Sequence, residues 1–332
     1  TITAAYNYLR FGITGPMIEA SKSDVGSFVR GAAFELEEGY NDLKSDVNRQ
    51  LTWDGTGTLA RANAAAGAST TVVLKGREDA ESALKFCDVG TVLDIYTGTT
   101  LVQAGVTIVS ITTGTAISAT ATVVMDQAVT CSTNDIFVRA GTKGQEISGL
   151  LTQLDGGTST VFGVVRASYV QTLGNVIFCT SDSTSTGSGL PLSLNYLQQA
   201  EDEAERRGGR GINCIYSDFG SRRMYQRLLT ADKRYVNSVK GDGGFSDLDK
   251  NYLEFNGKSW VADKDCPQRV FMLPDKYIEK YVLAEMTFAD ETGSMYIAQS
   301  SADSLETRIR FFANLFNAKA SGSSVLQGYV AP

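Results

Sequence analysis

Between Asp24 and Leu51 apolar side chains recur every three or four positions: Val25, Phe28, Val29, Ala32, Leu36, Tyr40, Leu43, Val47 and Leu51. That spacing draws a single stripe down a helix. The opposite face carries Glu35, Glu37, Glu38, Asp42, Lys44, Asp46 and Arg49. One helix of this span is about 42 Å long at 1.5 Å per residue, a spine rather than a capping element. Gly26, Gly31 and Gly39 each cost up to about 1 kcal/mol relative to alanine, so packing along the stripe must hold it together.

Ahead of the helix the rhythm changes to two. Tyr6, Tyr8, Arg10 and Gly12 alternate with Ala5, Asn7, Leu9 and Phe11, which predicts an extended strand, with Gly15 and Pro16 turning the chain toward the helix. A strand this early has no preceding partner in the sequence. It is an edge, or its partner comes from an upstream segment or from another chain.

Residues 70–140 read as short Val/Ile/Thr runs ("TTVVLKG", "TVLDIYTG", "VTIVSITTG", "SATATVVMD", "DIFVRAG") punctuated by glycine. Such close spacing predicts a small all-β barrel or sandwich inserted into the chain. From 190 onward helices and strands alternate. "LSLNYLQQAEDEAERRGG" and "GSRRMYQRLLTADKRYVNS" predict helices around a short buried strand, "INCIYSD". "YLEFNGKSWVAD" predicts a hairpin whose Asn256 and Gly257 fill a two-residue turn that needs positive φ. "RVFMLP" and "SMYIAQS" read as strands flanking a short helical stretch, "DKYIEKYVLAEM", and "ETRIRFFANLFNAKA" ends the chain with mixed amphipathic character.

Composition narrows the function. The 332 residues are 42% hydrophobic and 20% charged, with no histidine and a formal charge of -7. A chain of this size and apolarity builds two or three domains with real cores and is not disordered. Without histidine, Ser/His/Asp and Cys/His catalysis and most zinc sites are excluded. Catalysis would fall to carboxylates, lysine or tyrosine. The five cysteines, Cys87, Cys131, Cys179, Cys214 and Cys266, are scattered and form no CxxC pair. They read as small buried apolar residues rather than a disulfide framework or a metal site. No apolar run reaches the roughly 20 residues of a membrane-spanning helix, so a soluble chain from a reducing cytoplasm is expected. The acidic balance argues against tight nucleic-acid binding, though not against a wall that surrounds nucleic acid without gripping it.

Four stretches invite a chemical reading. "DGTGTLA", Asp54 to Ala60, differs at two positions from the DKTGTLT phosphorylation motif of P-type cation pumps. Yet Asp54 follows the polar last turn of a helix, not a buried parallel strand. A phosphate cradle at Gly55 and Gly57 would need a strand before and a helix after; the residues after Gly57 lead into β structure, so these glycines read as a helix stop and a flexible exit. "EDEAERRGGRG" sets Glu201, Asp202, Glu203 and Glu205 beside Arg206, Arg207 and Arg210. The arginines would neutralise a cation site, so a solvated or intersubunit ion-pair face is expected. Tyr225, Arg227, Lys233, Arg234 and Tyr235 place aromatic and basic side chains together, a weak signal for single-stranded nucleic acid. Phe311, Phe312 and Phe316 form an apolar seam for a core or a subunit contact. No cofactor, metal or catalytic set is implied.

The order of these segments resembles the major capsid proteins of tailed bacteriophages with the HK97-type fold. A strand "YNYLRFGITGPMIEAS" runs into a long helix ending "DLKSDVNRQL". Beyond the helix lie "WDGTGTLA", a β insertion and "YLEFNGKSWVADKDCPQRVFMLP". The likeness is strongest over 6–62 and 252–274, moderate across 190–238 and only architectural across the insertion. It implies an α+β chain with a spine helix, peripheral and axial domains, an extended loop and an inserted small all-β domain. Residues 1–22 would be the returning strand of the extended loop and 23–67 the spine helix and hinge. The inserted barrel-like domain would span 68–141, the peripheral connection 142–189, the axial domain 190–250, and the return with the C-terminal strands 251–332.

By the same resemblance the protein is a structural subunit of an icosahedral head, not an enzyme. It would self-assemble into pentamers and hexamers that enclose double-stranded DNA, contacted non-specifically. Portal, scaffold or maturation protease and a decoration protein are the further partners implied, with no membrane. The virion is the expected location and the bacterial cytoplasm the site of assembly. Tyr8, Arg10, Leu43, Asp54, Gly55, Gly57, Glu203, Arg206, Arg207 and Arg210 are the expected assembly residues. The family carries an N-terminal arm and an outgoing loop strand upstream of the position that is Thr1 here, so the sequence is expected to be incomplete, processed or unusually short. No Lys and Asn crosslinking pair is identified. The competing reading is a binding protein whose β module at 70–140 recognises carbohydrate or a cell surface, although beyond Phe86 the module has only Tyr96 and Phe137 as aromatic platforms.

Overall fold

The computed structural model describes residues 2–16, 25–78, 81–113, 118–157, 160–184, 187–209, 211–232, 253–289, 297–298 and 303–330. In chain order the elements are β1 (Ala5–Thr14), α1 (Val25–Thr52), β2 (Thr58–Ala62), β3 (Ala66–Lys75), β4 (Val92–Thr97), β5 (Thr100–Thr113), β6 (Thr120–Cys131) and β7 (Ile136–Arg139). After them come α2 (Leu150–Leu154), β8 (Thr160–Val161), β9 (Val164–Val165), β10 (Asn175–Phe178), α3 (Leu194–Gly208), β11 (Cys214–Ser217) and α4 (Phe219–Asp232). The last part holds β12 (Glu254–Phe255), β13 (Lys258–Ala262), β14 (Val270–Leu273), β15 (Ile278–Phe288), β16 (Ile297–Ala298), β17 (Ser304–Asn317) and β18 (Ser324–Gln327).

The apolar stripe of α1 is buried where its side chains are described: Leu43 and Val47 lie in one core with Ala5, Ile147, Ile309, Phe311 and Leu315, and Leu36, Tyr40 and Leu51 pack on its border. Val25, Phe28, Val29 and Ala32 belong to the same sequence stripe but their side chains lie outside the described residues. β1 closes over this core. It runs antiparallel to β17, Ala5 opposite Ala313 and Thr14 opposite Ser304, in a sheet of order β1-β17-β15 with β16 also pairing β17. Its two-residue rhythm appears as burial: Ala5 and Ile13 are buried while Tyr6, Tyr8 and Arg10 face outward.

β15 corrects the sequence reading of a helix at "DKYIEKYVLAEM". Only Asp275–Tyr277 turn, as a single 3-10 turn, and Ile278–Phe288 are extended against β17. The side chains alternate, with Val282, Met286 and Phe288 toward the core and Tyr281, Leu283 and Glu285 toward solvent. A long partner strand supplies the backbone hydrogen bonds that a short helix would have had to make alone, and so overrides local propensity.

A six-stranded mixed sheet, β10-β18-β14-β11-β13-β12, forms the second layer. α3 and α4 cover one face, where Leu197, Ala200, Ala204, Met224 and Tyr225 meet Ile215, Trp260, Met272 and Leu326. Its other face, through Phe271, Leu273 and Val325, joins the core under α1. The β12–β13 hairpin turns at Asn256 and Gly257, with φ of 50° and 74°, the conformation a two-residue type I′ turn demands.

Strands β2-β3-β6-β5-β4-β7 close into a barrel around Leu59, Val72, Leu74, Ile95, Ile108, Val123 and Phe137. Its first strand, β2, lies ahead of residue 68, where the sequence pattern begins the module. "TLARA" is short and alanine-rich and carries no β-branched run, so nothing in its local composition marks a strand. Among the described residues no helix is long and apolar enough to cross a membrane.

Candidate assembly surfaces

The sequence-predicted residues do not converge on one site. Asp54, Gly55 and Gly57 form the exit from α1. Trp53 N–H donates to Gln50 O as the helix ends, and Asp54 then turns the chain by accepting from Thr56 N–H at 2.9 Å and from the Thr56 hydroxyl at 2.5 Å. Gly55 and Gly57 have φ of 74° and 82°, a region that disfavours any residue with a Cβ. Space is tight for one as well: at Gly55 it would lie 3.1 Å from Ile147 O, and at Gly57 3.2 Å from Thr142 O. The glycines of "DGTGTLA" admit the returning chain; they cradle no phosphate.

Leu43 sits 6% exposed in the protein's own core, which places it in folding rather than on a contact surface. One and two turns further along, the same helix carries a polar network that periodicity does not reveal. Asn48 donates to Asp263 and Asp265 at 2.9 and 2.8 Å. Gln50 donates to Asn7 of β1 at 2.8 Å, and the buried Arg49 donates to Glu146 and Asp46. Burial works against the Arg49 charge, but Glu146 and Asp46 outweigh it and hold the guanidinium protonated above its ordinary range. Burial likewise pushes the Glu146 carboxyl up, and Arg49 pulls it part of the way back. Sequence could have flagged this set only as charged residues on the helical face opposite the stripe, which normally means solvent.

On the outer face of the β1-β17-β15 sheet, Tyr8 is 56% exposed. Its ring and that of Tyr6 stand edge-on to Phe312, at centroid distances of 5.2 and 4.9 Å. Arg10 donates through Nε and Nη2 to the two oxygens of Glu306, at 3.1 and 2.7 Å. Arg308 shares that carboxylate at 2.6 Å. Phe316 lies on the same face, 6.0 Å from Tyr281 and 6.1 Å from Phe162. The predicted seam therefore divides, with Phe311 in the core and Phe312 and Phe316 on the outer side.

The charged run on α3 also divides, which corrects its reading as one ion-pair face. Glu203 and Arg206 do form an exposed pair at 2.8 Å. Glu201, in contrast, is buried and pairs with Lys258 and with Asn256 of the hairpin turn. It follows Leu197 by one turn and therefore faces the sheet. Among the described residues Arg207 pairs with no carboxylate: it donates to Asn175 Oδ1 at 2.5 Å and to the Val170 carbonyl at 2.8 Å, tying α3 to the turn before β10. Arg210, with Lys233, Arg234 and Tyr235, lies outside the described residues. Tyr225 is no nucleic-acid platform. It is 2% exposed, stacks on Trp260 at 4.4 Å and donates its hydroxyl to Glu254 O.

The chemistry available is limited. An open groove of about 1010 Å³ runs along β10 and is lined by Asp54, Asp155, Glu203 and Arg207 among others. Each of these is turned to a local partner: Asp54 to Thr56, Asp155 to the Gly157 N–H, Glu203 to Arg206 and Arg207 to Asn175. Burial pushes the Cys87 and Cys179 thiols up to about 12, so neither supplies a thiolate near neutrality. Among the described residues no group of three or more His, Cys, Asp or Glu side chains is arranged to hold a metal ion. In the barrel, Phe137 is fully buried and Phe86 is covered by the Arg77 guanidinium at 4.2 Å, so of its aromatic candidates for sugar stacking Tyr96 alone is left, beneath Lys143.

The sequence matches no protein-family model and no curated protein. Solved structures do match in shape. A chain of the cyanophage A-1(L) capsid asymmetric unit superposes at a TM-score of 0.54 and 13% identity, over 98% of this chain and 78% of that one. The satellite phage P4 procapsid with its size determination (Sid) protein covers 99% of this chain and 72% of that one, at a TM-score of 0.37 and 9% identity. The capsid of an empty GTA particle covers 57% and 59%, at 0.37 and 9%. This chain is built, over nearly its whole length, on the mixed helix-and-strand fold of a phage capsid protein.

Proposed function

We propose that the protein is the shell subunit of a bacteriophage head of HK97 type, assembling into pentamers and hexamers that enclose double-stranded DNA. The observation that carries this reading is the superposition on a cyanophage capsid chain over 98% of the present chain. The internal architecture agrees with a part whose task is geometric. The buried stripe of a 28-residue spine shares one core with residues of both the four-stranded and the six-stranded sheet. Rigid elements of this kind fix curvature, and a closed shell multiplies contacts that are individually weak.

In this reading α1 with the β1-β17-β15 sheet is the peripheral domain. The six-stranded sheet with α3 and α4 is the axial domain, which meets its copies at the capsomer centre, and the barrel is an insertion. Of the expected assembly residues, exposure favours Tyr8, Arg10 and Arg206 for contacts between copies, with the half-buried Glu203 paired to Arg206. The formal charge of -7 suits an inner wall along which packaged DNA slides. Portal, scaffold or maturation protease are the further partners in this reading, with a decoration protein as an optional addition.

Electron microscopy of the purified protein, expressed with whatever coding sequence precedes Thr1, tests the reading. Closed shells, tubes or rings of five or six support it. Dispersed single subunits, unchanged by added scaffold or phage lysate, overturn it.

A further inference from the structure

Two covalent connections join the barrel to the rest of the molecule, and they run side by side. The incoming one passes Gly55 and Gly57; the outgoing one passes Gly141 and Gly144, with φ of 74° and 70°. Gly144 N–H donates to Thr56 O across them at 3.3 Å. Two adjacent connections define a single axis, and four left-handed glycines lie along it, of which Gly141 and Gly144 have open space around them. The barrel also carries its own core: its apolar cluster runs from Leu59 to Phe137, and the two clusters of the body contain none of its residues.

Beyond the Arg139–Asp46 pair near that axis, at 3.4 Å, the barrel is fixed by arginines, their carboxylates and two aromatic rings. The Arg77 side chain is fully buried, its guanidinium 4.3 Å from the Trp53 ring at the end of α1 and 4.2 Å from Phe86 of the barrel. It pairs with Glu81 at 2.7 Å and donates to Asp265 O of the body at 3.2 Å. Its Nη1 has no hydrogen-bond partner among the described residues. Next to it, Glu78 accepts from Arg269 Nε, just before β14, at 3.0 Å. No apolar core cluster runs from barrel to body across this contact, and ion pairs recover little beyond their own desolvation.

We propose that the barrel is a hinged rigid body, docked through the Arg77 and Glu78–Arg269 clamp and able to swing on the glycine axis without losing its fold. The observations behind this are local to the chain and stand apart from the shell reading.

Distance measurement between spin labels tests it. Unnatural side chains at Thr99, on the β4–β5 turn, and at Lys276, on the body, carry the labels, with labelled chain diluted into unlabelled chain so that one molecule is read at a time. The docked protein gives one narrow distance distribution. Arg269→Gln, which lies outside the barrel, is expected to abolish that single distribution, and Glu78→Gln to do the same from the barrel side. Hydrogen exchange in β5 and β6 stays at its original rate in both. A narrow distribution in both variants overturns the proposal, and so does exchange in β5 and β6 rising together with the broadening, because the barrel would then be melting rather than swinging.

Discussion

Arg49, near the end of α1, donates from Nη1 to Glu146 at 3.0 Å and from Nη2 to its other carboxylate oxygen, across 97 residues and the whole barrel. Arg49 is 2% exposed and Glu146 9%. The pair therefore closes the polypeptide where it leaves and re-enters the body, in a setting where an unpartnered charge is expensive. Removing one partner and removing both should then have different consequences. Glu146→Ala is expected to destabilise by about 3 kcal/mol or more, leaving a buried guanidinium with Asp46 alone, whereas Arg49→Met with Glu146→Leu should lie near wild type. Thermal melts of the three proteins check the order; equal losses in single and double variants would show that packing volume, not charge, sets the cost.

The stripe that made α1 legible in sequence also makes a prediction about it. Leu43 is 6% exposed among Val47, Ala5 and Phe311. Leu43→Ala should cost about 2–5 kcal/mol through lost burial and the cavity left behind. Leu43→Asp should prevent folding, because it adds an unpaired buried carboxylate. Soluble yield and melting temperature read both, and a soluble, normally melting Leu43→Asp protein would contradict the burial.

How much was legible depends on the kind of signal. The spine, β1 and the Asn256–Gly257 hairpin follow period and turn chemistry, both local properties. β15 was misread because "DKYIEKYVLAEM" carries helix-favouring Glu, Lys, Leu, Ala and Met, and only the distant β17 decides otherwise. The divided fate of Glu201, Glu203, Arg206 and Arg207 was hidden for a related reason. Two residues, about half a turn of helix, separate the buried Glu201 from Glu203 with its surface partner Arg206, and the partners Lys258 and Asn175 are distant in sequence. Arg77 has no mark in the sequence and Arg49 reads only as part of a solvent-facing helix side, because a buried arginine has no signature until its carboxylate and rings are in place.

The Arg77–Glu81 pair predicts the sign of an acid effect. Burial alone would raise the Glu81 carboxyl, but the Arg77 hydrogen bonds, the Arg77 charge and then Lys85 outweigh it and hold it below its ordinary value of 4.5. A carboxyl whose folded value is depressed contributes stability above its unfolded value and loses that contribution as the pH falls through the folded one. Asp46, held down by Arg49 and Arg139 against its own burial, acts in the same direction. Denaturation midpoints of wild type and Glu81→Gln should therefore differ at neutral pH and converge as the pH drops below about 4.5. A gap that widens in acid would reverse the assignment.

Two glycines with the same φ of 74°, Gly55 and Gly257, separate backbone strain from crowding. Alanine at either must enter the left-handed region, which costs an L-residue roughly 1–2 kcal/mol. At Gly257 the added methyl meets nothing within 4 Å, whereas at Gly55 it lies 3.1 Å from Ile147 O and 3.4 Å from Ser148 Cα, both backbone atoms. Neither can rotate aside as a side-chain end would, so the returning chain itself has to shift. Gly257→Ala is therefore expected to lower stability by the conformational cost alone, about 1 kcal/mol. Gly55→Ala should lose clearly more and should loosen the junction that Arg49 and Glu146 close. Combining Gly55→Ala with Glu146→Ala tests that coupling, because changes at one junction should not add as independent sites do. Simple additivity, or equal losses at the two glycines, would mean that the exit from α1 is held from elsewhere.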